Sequence, residues 1–427
     1  MSESTEARAP TPARISLFVG KGGVGKSTLA SATAVSAAFR GQRVLVVSAD
    51  QAHSLGDVLG VPVPPSGRDA PVRVFAEPPT GRAETSGGFL DALALDTLAL
   101  LEARWQQVVR AVDRSFPDSE LSTVATEELS ALPGVQEVLG LHAVGELASS
   151  GRWDLVVVDC ASTADALRML TLPAAFGLYA ERAWPRHRRL SIAADDSRSA
   201  AVVELLERIS TGVDALGALL TDGELVGAHV VLTPERVVVA EAVRILGSLA
   251  LMGVRVEELI VNQALVQDQS YEYHNLPAHP AFSWYAERIC EQRLALEELG
   301  AAVGDIALVV TPHLSGAPIG PGALAALLDN ARRQGTTAPP GPLRPVVDLE
   351  SGSGLGSTYR MRLALPQLDS GALTLGRVDD DLIIGVGGLR RRVRLASVLR
   401  RCTVLDARLR GSELTVRFRP DPEVWPR

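Results

Sequence analysis

Short, nearly unbroken apolar runs alternate along this chain with longer stretches in which apolar residues recur at helical spacing. Ile15-Ser16-Leu17-Phe18-Val19, Arg43–Ser48, Val72–Ala76 and Trp153–Asp159 read as strands buried on both faces. His229–Leu232, Leu259–Asn262 and Ile306–Val310 continue the series, with helical patterns between them. The first of those helices begins around Thr28-Leu29-Ala30. Strands alternating with helices in this way predict an α/β fold, a mostly parallel sheet with helices on both faces.

Between about residues 86 and 215 the strand pattern thins. Phe89, Leu90, Leu93, Leu95, Leu98, Leu101 and Trp105 are read as one helical stretch, and Ala200 to Ile209 as another. The two predict a helical insertion in a domain that covers residues 14–333, after a disordered lead at 1–13. A Pro/Gly-rich linker follows at 334–345. Beyond it, Tyr359–Leu365, Ala372–Leu375, Asp381–Ile384, Arg391–Leu395 and Leu414–Phe418 are short alternating runs separated by turns. They predict a small all-β sandwich over residues 346–427.

Composition narrows the function classes. The chain has 427 residues, 46% of them hydrophobic, and a net charge of −8. That charge argues against a general nucleic-acid binder, although the stretch from Arg344 onward carries fifteen arginines against ten acidic residues. No apolar run is long enough to cross a membrane, and the N-terminus has no apolar signal core, so a cytosolic protein is expected. Cys160, Cys290 and Cys402 are widely spaced and form no metal-binding or disulfide pattern.

Lysine usage picks out one segment. Only Lys21 and Lys26 occur against forty arginines, and both lie in Gly20-Lys21-Gly22-Gly23-Val24-Gly25-Lys26-Ser27-Thr28. This fits the phosphate-loop pattern G-x-x-x-x-G-K-[ST] between a strand and a helix. Backbone N–H groups of such a loop and the helix N-terminus suit an anion, with Lys26 on the β- and γ-phosphates of ATP and Ser27 on Mg²⁺. Asp159, which ends the Val-rich strand, is the candidate second Mg²⁺ ligand. Asp50 follows another strand and is the candidate for orienting the attacking water.

A lysine directly after the first glycine makes the loop resemble the deviant form found in ATPases of the Min/Par, nitrogenase-iron-protein and arsenite-pump type. The resemblance implies a homodimer in which Lys21 reaches the partner's nucleotide. Ser48-Ala49-Asp50-Gln51-Ala52-His53 and Asp159-Cys160-Ala161-Ser162-Thr163 with Leu167-Arg168 resemble the two switches of the ArsA family, which includes arsenite-pump and tail-anchored-protein-targeting ATPases. Pro133–Glu137, Pro234-Glu235 and Val261-Asn262-Gln263 also match, and the resemblance makes Asn262 and Gln263, with Pro234 and Glu235, nucleotide-binding residues on the adenine side. It spans residues 14–330.

The chain departs from that pattern in three places. Gln51 replaces a proline, Ala164-Asp165 replaces a Gly-His in the second switch, and the segment Gln267–Leu276 lacks the CxxC of zinc-clasped targeting factors, so no zinc is expected. Residues 346–420 resemble a small heat-shock-protein, or α-crystallin, domain through Leu365-Pro366-Gln367-Leu368 and Ala407–Leu414-Thr-Val. The leading expectation is a Mg²⁺-dependent ATP hydrolase whose nucleotide-gated dimer binds and releases an apolar protein client or membrane-protein segment. The alternatives are the soluble ATPase subunit of an anion or arsenite pump, and a holdase acting through the β-sandwich.

Overall fold

The computed structural model describes residues 11–49, 54–67, 70–76, 87–115, 135–161, 197–265, 279–304, 306–335, 345–365, 373–386 and 389–425. The chain divides into two compact units, Met1–Val231 with Leu314–Ala331, and Leu232–His313 with Arg332–Arg427. The second unit therefore holds chain from both sides of the expected linker at 334–345.

In the first unit, β1 (Arg14–Val19), β2 (Arg43–Ser48), β5 (Phe89–Leu95), β6 (Leu155–Asp159) and β7 (Val226–Leu232) run parallel in the order β7-β1-β6-β2-β5. The short β3 (Pro65–Ser66) joins β5 in parallel, and β4 (Val72–Ala76) pairs with it antiparallel. Every residue of β1, β2 and β6 after the first is buried. Successive side chains point to opposite faces, so both faces of these strands are covered. The small residues Ala30, Ala34, Ala37 and Ala38 of α1 (Lys26–Phe39) are all buried, which lets the helix backbone approach the sheet closely. Also in this unit are α2 (Ser54–Leu59), α3 (Thr97–Ser115), α4 (Val135–Ser149) and α5 (Ser197–Leu220).

Two sequence expectations are corrected here. Val72–Ala76, expected as a strand buried on both faces, lies antiparallel to β5 and has no buried residue. Phe89–Leu95 is a strand, not the start of a helix, and α3 begins only at Thr97. From Leu90 to Leu95 every position is buried, and β2 supplies parallel hydrogen-bonding partners from Arg43↔Phe89 to Ser48↔Ala94. A short apolar run fits either period, and the neighbouring strand decides between them.

In the second unit, β8 (Val256–Ala264) and β9 (Ala307–Pro312) are parallel, with β10 (Arg332–Gln334) antiparallel to β9. Helices α6 (Arg236–Met252) and α7 (Pro280–Val303) belong to it, while α8 (Pro321–Asp329) returns to the first unit. The C-terminal part forms two antiparallel sheets. One has the order β11 (Val346–Ser351), β12 (Thr358–Ala364), β17 (Glu413–Pro420), β16 (Cys402–Arg410). The other comprises β13 (Thr374–Val378), β14 (Asp381–Val386) and β15 (Leu389–Arg394). Alternation along β17 buries Leu414, Val416 and Phe418 with Met361, Leu382 and Ile384.

Leu251, from the last turn of α6, is part of this same core. Arg391 of β15 donates from Nη1 to the Ala250 carbonyl (3.3 Å) at the same helix end, where the helix dipole favours a cation. Burial lowers the Arg391 pKa to about 10, which still leaves it charged at neutral pH. The β-sandwich is thus built onto α6. Among the described residues no helix is long and apolar enough to cross a membrane.

Candidate nucleotide site

Strand register assembles the first part of the site. Phe18 and Ser48 both pair with Asp159, so the C-terminal ends of β1, β6 and β2 lie level. Cys160 N–H donates to the Phe18 carbonyl (3.2 Å) and Ala49 N–H to the Asp159 carbonyl (3.1 Å), which extends that alignment past the strands. Gly20 follows β1 where a Cβ would sit 2.2 Å from the Val231 carbonyl oxygen, so no other residue fits without moving the backbone. Gly25 caps α1 at φ 92°, a left-handed conformation that glycine adopts without steric cost.

The start of α1 has no side-chain cap and no acidic residue in its first turn. Its N–H groups and the positive end of its dipole are therefore matched to an external anion. Lys26 is 8% exposed and donates from Nζ to the Lys21 carbonyl (3.2 Å), which closes the loop on itself. Lys21 is exposed. The two lysines therefore occupy different environments within one loop.

Ser27 Oγ donates to Asp159 Oδ2 at 2.6 Å, and Asp159 is only 1% exposed. This pair of hard oxygen donors fits Mg²⁺, and the glycine loop beside it fits phosphate. Ser54, the first residue of α2, donates to Ser27 Oγ at 3.0 Å. Sequence reasoning assigns no role to Ser54, although it directly follows the first-switch segment. Cys160 is buried, and its thiol pKa is pushed up to about 12, first by burial and then by the Asp159 charge, with Lys26 opposing. That keeps the sulfur protonated at neutral pH.

The expected adenine-side residues lie in the second unit. Pro234 is buried, and Glu235 caps α6 with an extended backbone. Arg288 Nη2 donates to Glu235 Oε1 (2.6 Å) while its Nη1 holds Glu291 (2.8 Å), and these carboxylates raise the Arg288 pKa. Asn262 is buried and accepts from Thr311 Oγ1 at 2.8 Å. Gln263 is exposed and has φ 59°. Gln292 of α7 accepts from Leu265 N–H (2.8 Å), just after β8. Neither Thr311 nor Gln292 stands out in the sequence, where one follows an apolar run and the other sits in a helix. Asp50, the altered second-switch residues Ala164 and Asp165, and the segment Gln267–Leu276 lie outside the described residues.

Residues 13–280 match the family model described as anion-transporting ATPase, of the ArsA type. The chain belongs to the ArsA ATPase family. Residues 356–418 match a second model, the HSP20-like domain found in ArsA, which covers most of the two antiparallel C-terminal sheets. Over 422 residues the chain is 74% identical to "Protein Rv2184c" of Mycobacterium tuberculosis, covering 99% of this chain and 100% of the relative. It is 24% identical to "Putative arsenical pump-driving ATPase 1" of Aquifex aeolicus, across 94% of this chain and 99% of the relative. It is also 27% identical to "ATPase ASNA1 homolog" of Cryptosporidium parvum, over 58% of this chain and 65% of the relative. ArsA-family membership implies nucleotide binding.

Proposed function

We propose that the protein is a Mg²⁺-dependent ATP hydrolase working as a homodimer, whose nucleotide state controls the binding and release of an apolar protein client. The observation that carries the ATPase reading is the Ser27–Asp159 contact of 2.6 Å beside the uncapped N-terminus of α1. Lys26 and the loop N–H groups of Gly20 to Thr28 would hold the triphosphate, and Ser27 with Asp159 would hold Mg²⁺. When bound, that ion neutralises charge on the transferred phosphoryl group. Lys26 adds charge stabilisation from within the subunit. Asp50 orients the water and takes its proton. Asn262, Gln263, Pro234 and Glu235 receive the base.

Support for the dimer lies in the contrast between the lysines. The Lys26 ammonium is turned onto its own loop, where it meets the Lys21 carbonyl, whereas Lys21 is exposed. An exposed ammonium at that position suits the nucleotide of a second copy. The client-binding step rests on membership of the family that includes the tail-anchored-protein-targeting ATPases. The test is ATP binding and hydrolysis by Asp50→Asn and Lys21→Ala. Both variants should bind ATP while hydrolysis is lost, and Lys21→Ala should also abolish ATP-dependent dimers in sedimentation. Undiminished turnover in Lys21→Ala would overturn the dimer mechanism.

The pump reading follows the name of the Aquifex relative. Trivalent arsenic needs several converging thiolates, and Cys160 is held as a buried neutral thiol. Arsenite is therefore expected to leave hydrolysis unchanged, and stimulation would favour the pump.

A further inference from the structure

We propose that Ser54 supplies a second hydroxyl oxygen to the divalent cation, beside Ser27. The inference rests on the reading of Ser27 as a Mg²⁺ ligand and adds to that shell a residue from a different segment. Ser54 lies 27 positions along the chain from Ser27, yet the two hydroxyl oxygens are 3.0 Å apart. Mg²⁺ holds its oxygens at about 2.0–2.1 Å in a near-ideal octahedron, so two neighbouring ligands of one ion are about 2.9 Å from each other. The Ser27–Ser54 separation matches that edge.

The proton count is compatible with it. Ser27 has one hydroxyl proton, and the Asp159 carboxylate takes it at 2.6 Å. A carboxylate oxygen only accepts, so the proton in the Ser54–Ser27 contact comes from Ser54. Only the Ser54 hydrogen has to turn for both hydroxyls to offer lone pairs. Such neutral oxygens are hard donors, suited to Mg²⁺ or Mn²⁺ and poorly suited to a soft metal.

Packing behind Ser54 holds it in place. Leu55 and Leu59 of α2 are 0% and 1% exposed. Gly56 lies so close to the next segment that a Cβ there would sit 2.9 Å from the Val61 carbonyl oxygen. The Val58 carbonyl accepts from Gly320 N–H (2.9 Å), which ties α2 to the start of α8. All of these residues, with Ser27 and Asp159, belong to the first compact unit. Ser27 and Ser54 are themselves half-buried, which leaves their hydroxyls within reach of an incoming ion.

The test uses the full-length chain with ADP, and Mn²⁺ as a paramagnetic probe whose affinity is read by electron paramagnetic resonance. Ser54→Ala should weaken Mn²⁺ about tenfold, while ADP affinity in EDTA stays within about twofold of wild type. Ser54→Thr keeps the hydroxyl and should keep the Mn²⁺ affinity. Ser54→Cys exchanges a hard oxygen for a soft sulfur, so hydrolysis should need about tenfold more Mg²⁺ and be better supported by Cd²⁺ than in wild type. A purely structural serine would give no such exchange of metal preference. Wild-type Mn²⁺ affinity in Ser54→Ala overturns the proposal, and so does an equal loss in Ser54→Thr. Ser27→Ala separates the two layers. If it weakens Mn²⁺ while Ser54→Ala does not, only the Ser54 assignment fails; if neither does, the reading of Ser27 as a Mg²⁺ ligand fails as well.

Discussion

The phosphate loop and the β8–β9 bulge, where Asn262 and Gln263 together oppose Thr311 alone, both lie at the C-terminal ends of parallel strands, yet they are built in opposite ways. In the loop, Gly25 at φ 92°, the N-terminus of α1 and the folding of Lys26 back onto Lys21 all come from adjacent residues. In the bulge, a buried asparagine depends on a threonine 49 residues away and the exit backbone on Gln292 of another helix. A loop of the first kind carries its chemistry in its own backbone. A bulge of the second kind has its chemistry only while its distant partners stay in place, because a buried carboxamide that loses its partner costs about 1–3 kcal/mol.

The contrast is sharpest for Lys26→Ala, which should remove ATP binding and lower hydrolysis by at least about a hundredfold. Amide exchange should show α1 still protected in that variant. Loss of protection would mean that the loop also depends on its side-chain contact.

Leu251→Ala probes the other regime. It deletes a fully packed side chain shared by α6 and the β-sandwich, and should cost about 2–5 kcal/mol of stability. Urea unfolding followed by amide exchange should find the loss in α6 and the C-terminal sheets, with the phosphate loop unaffected. An unchanged urea midpoint would mean that the C-terminal sheets do not rely on α6.

Asn262→Ala is expected to raise KM for ATP about tenfold, equivalent to about 1.4 kcal/mol, with little change in kcat. A matching fall in kcat would place Asn262 in the chemical step instead of in binding.

The smallest effect concerns Arg43 and Asp154, which join the N-terminal ends of β2 and β6 (Nη2–Oδ1 2.6 Å). Hydrogen bonding from Arg43 holds the Asp154 carboxyl below its ordinary value of 3.8. Its contribution is therefore present above about pH 4 and fades as pH falls through the depressed value. Both side chains are about one-third or more exposed, so solvent screens the pair. Asp154→Asn should cost at most about 1 kcal/mol at pH 7, and the difference from wild type should vanish in acid unfolding near pH 2.

Much of the fold and of the phosphate site is legible in the sequence because its signals are local. Gly20 to Ser27 names its own backbone conformations, and the apolar run Leu155-Val156-Val157-Val158 ends in a carboxylate, Asp159, that falls beside Ser27 once the strands align. Phe89–Leu95 reads as helix because seven apolar-rich residues satisfy a helix and a buried strand alike until β2 is beside them. Ser54, Thr311 and Gln292 escape sequence reasoning because hydroxyl and amide side chains have no spacing that announces a partner far along the chain.

The sequence by itself determined that a glycine-rich loop and a helix N-terminus follow the first strand, since glycine conformations and a helix N-terminus are properties of consecutive residues. Tertiary structure alone decided that the β-sandwich shares its core with α6 through Leu251 and that Thr311 meets the buried Asn262 carboxamide. Both depend on hydrogen bonds and van der Waals contacts between residues that only folding brings within reach.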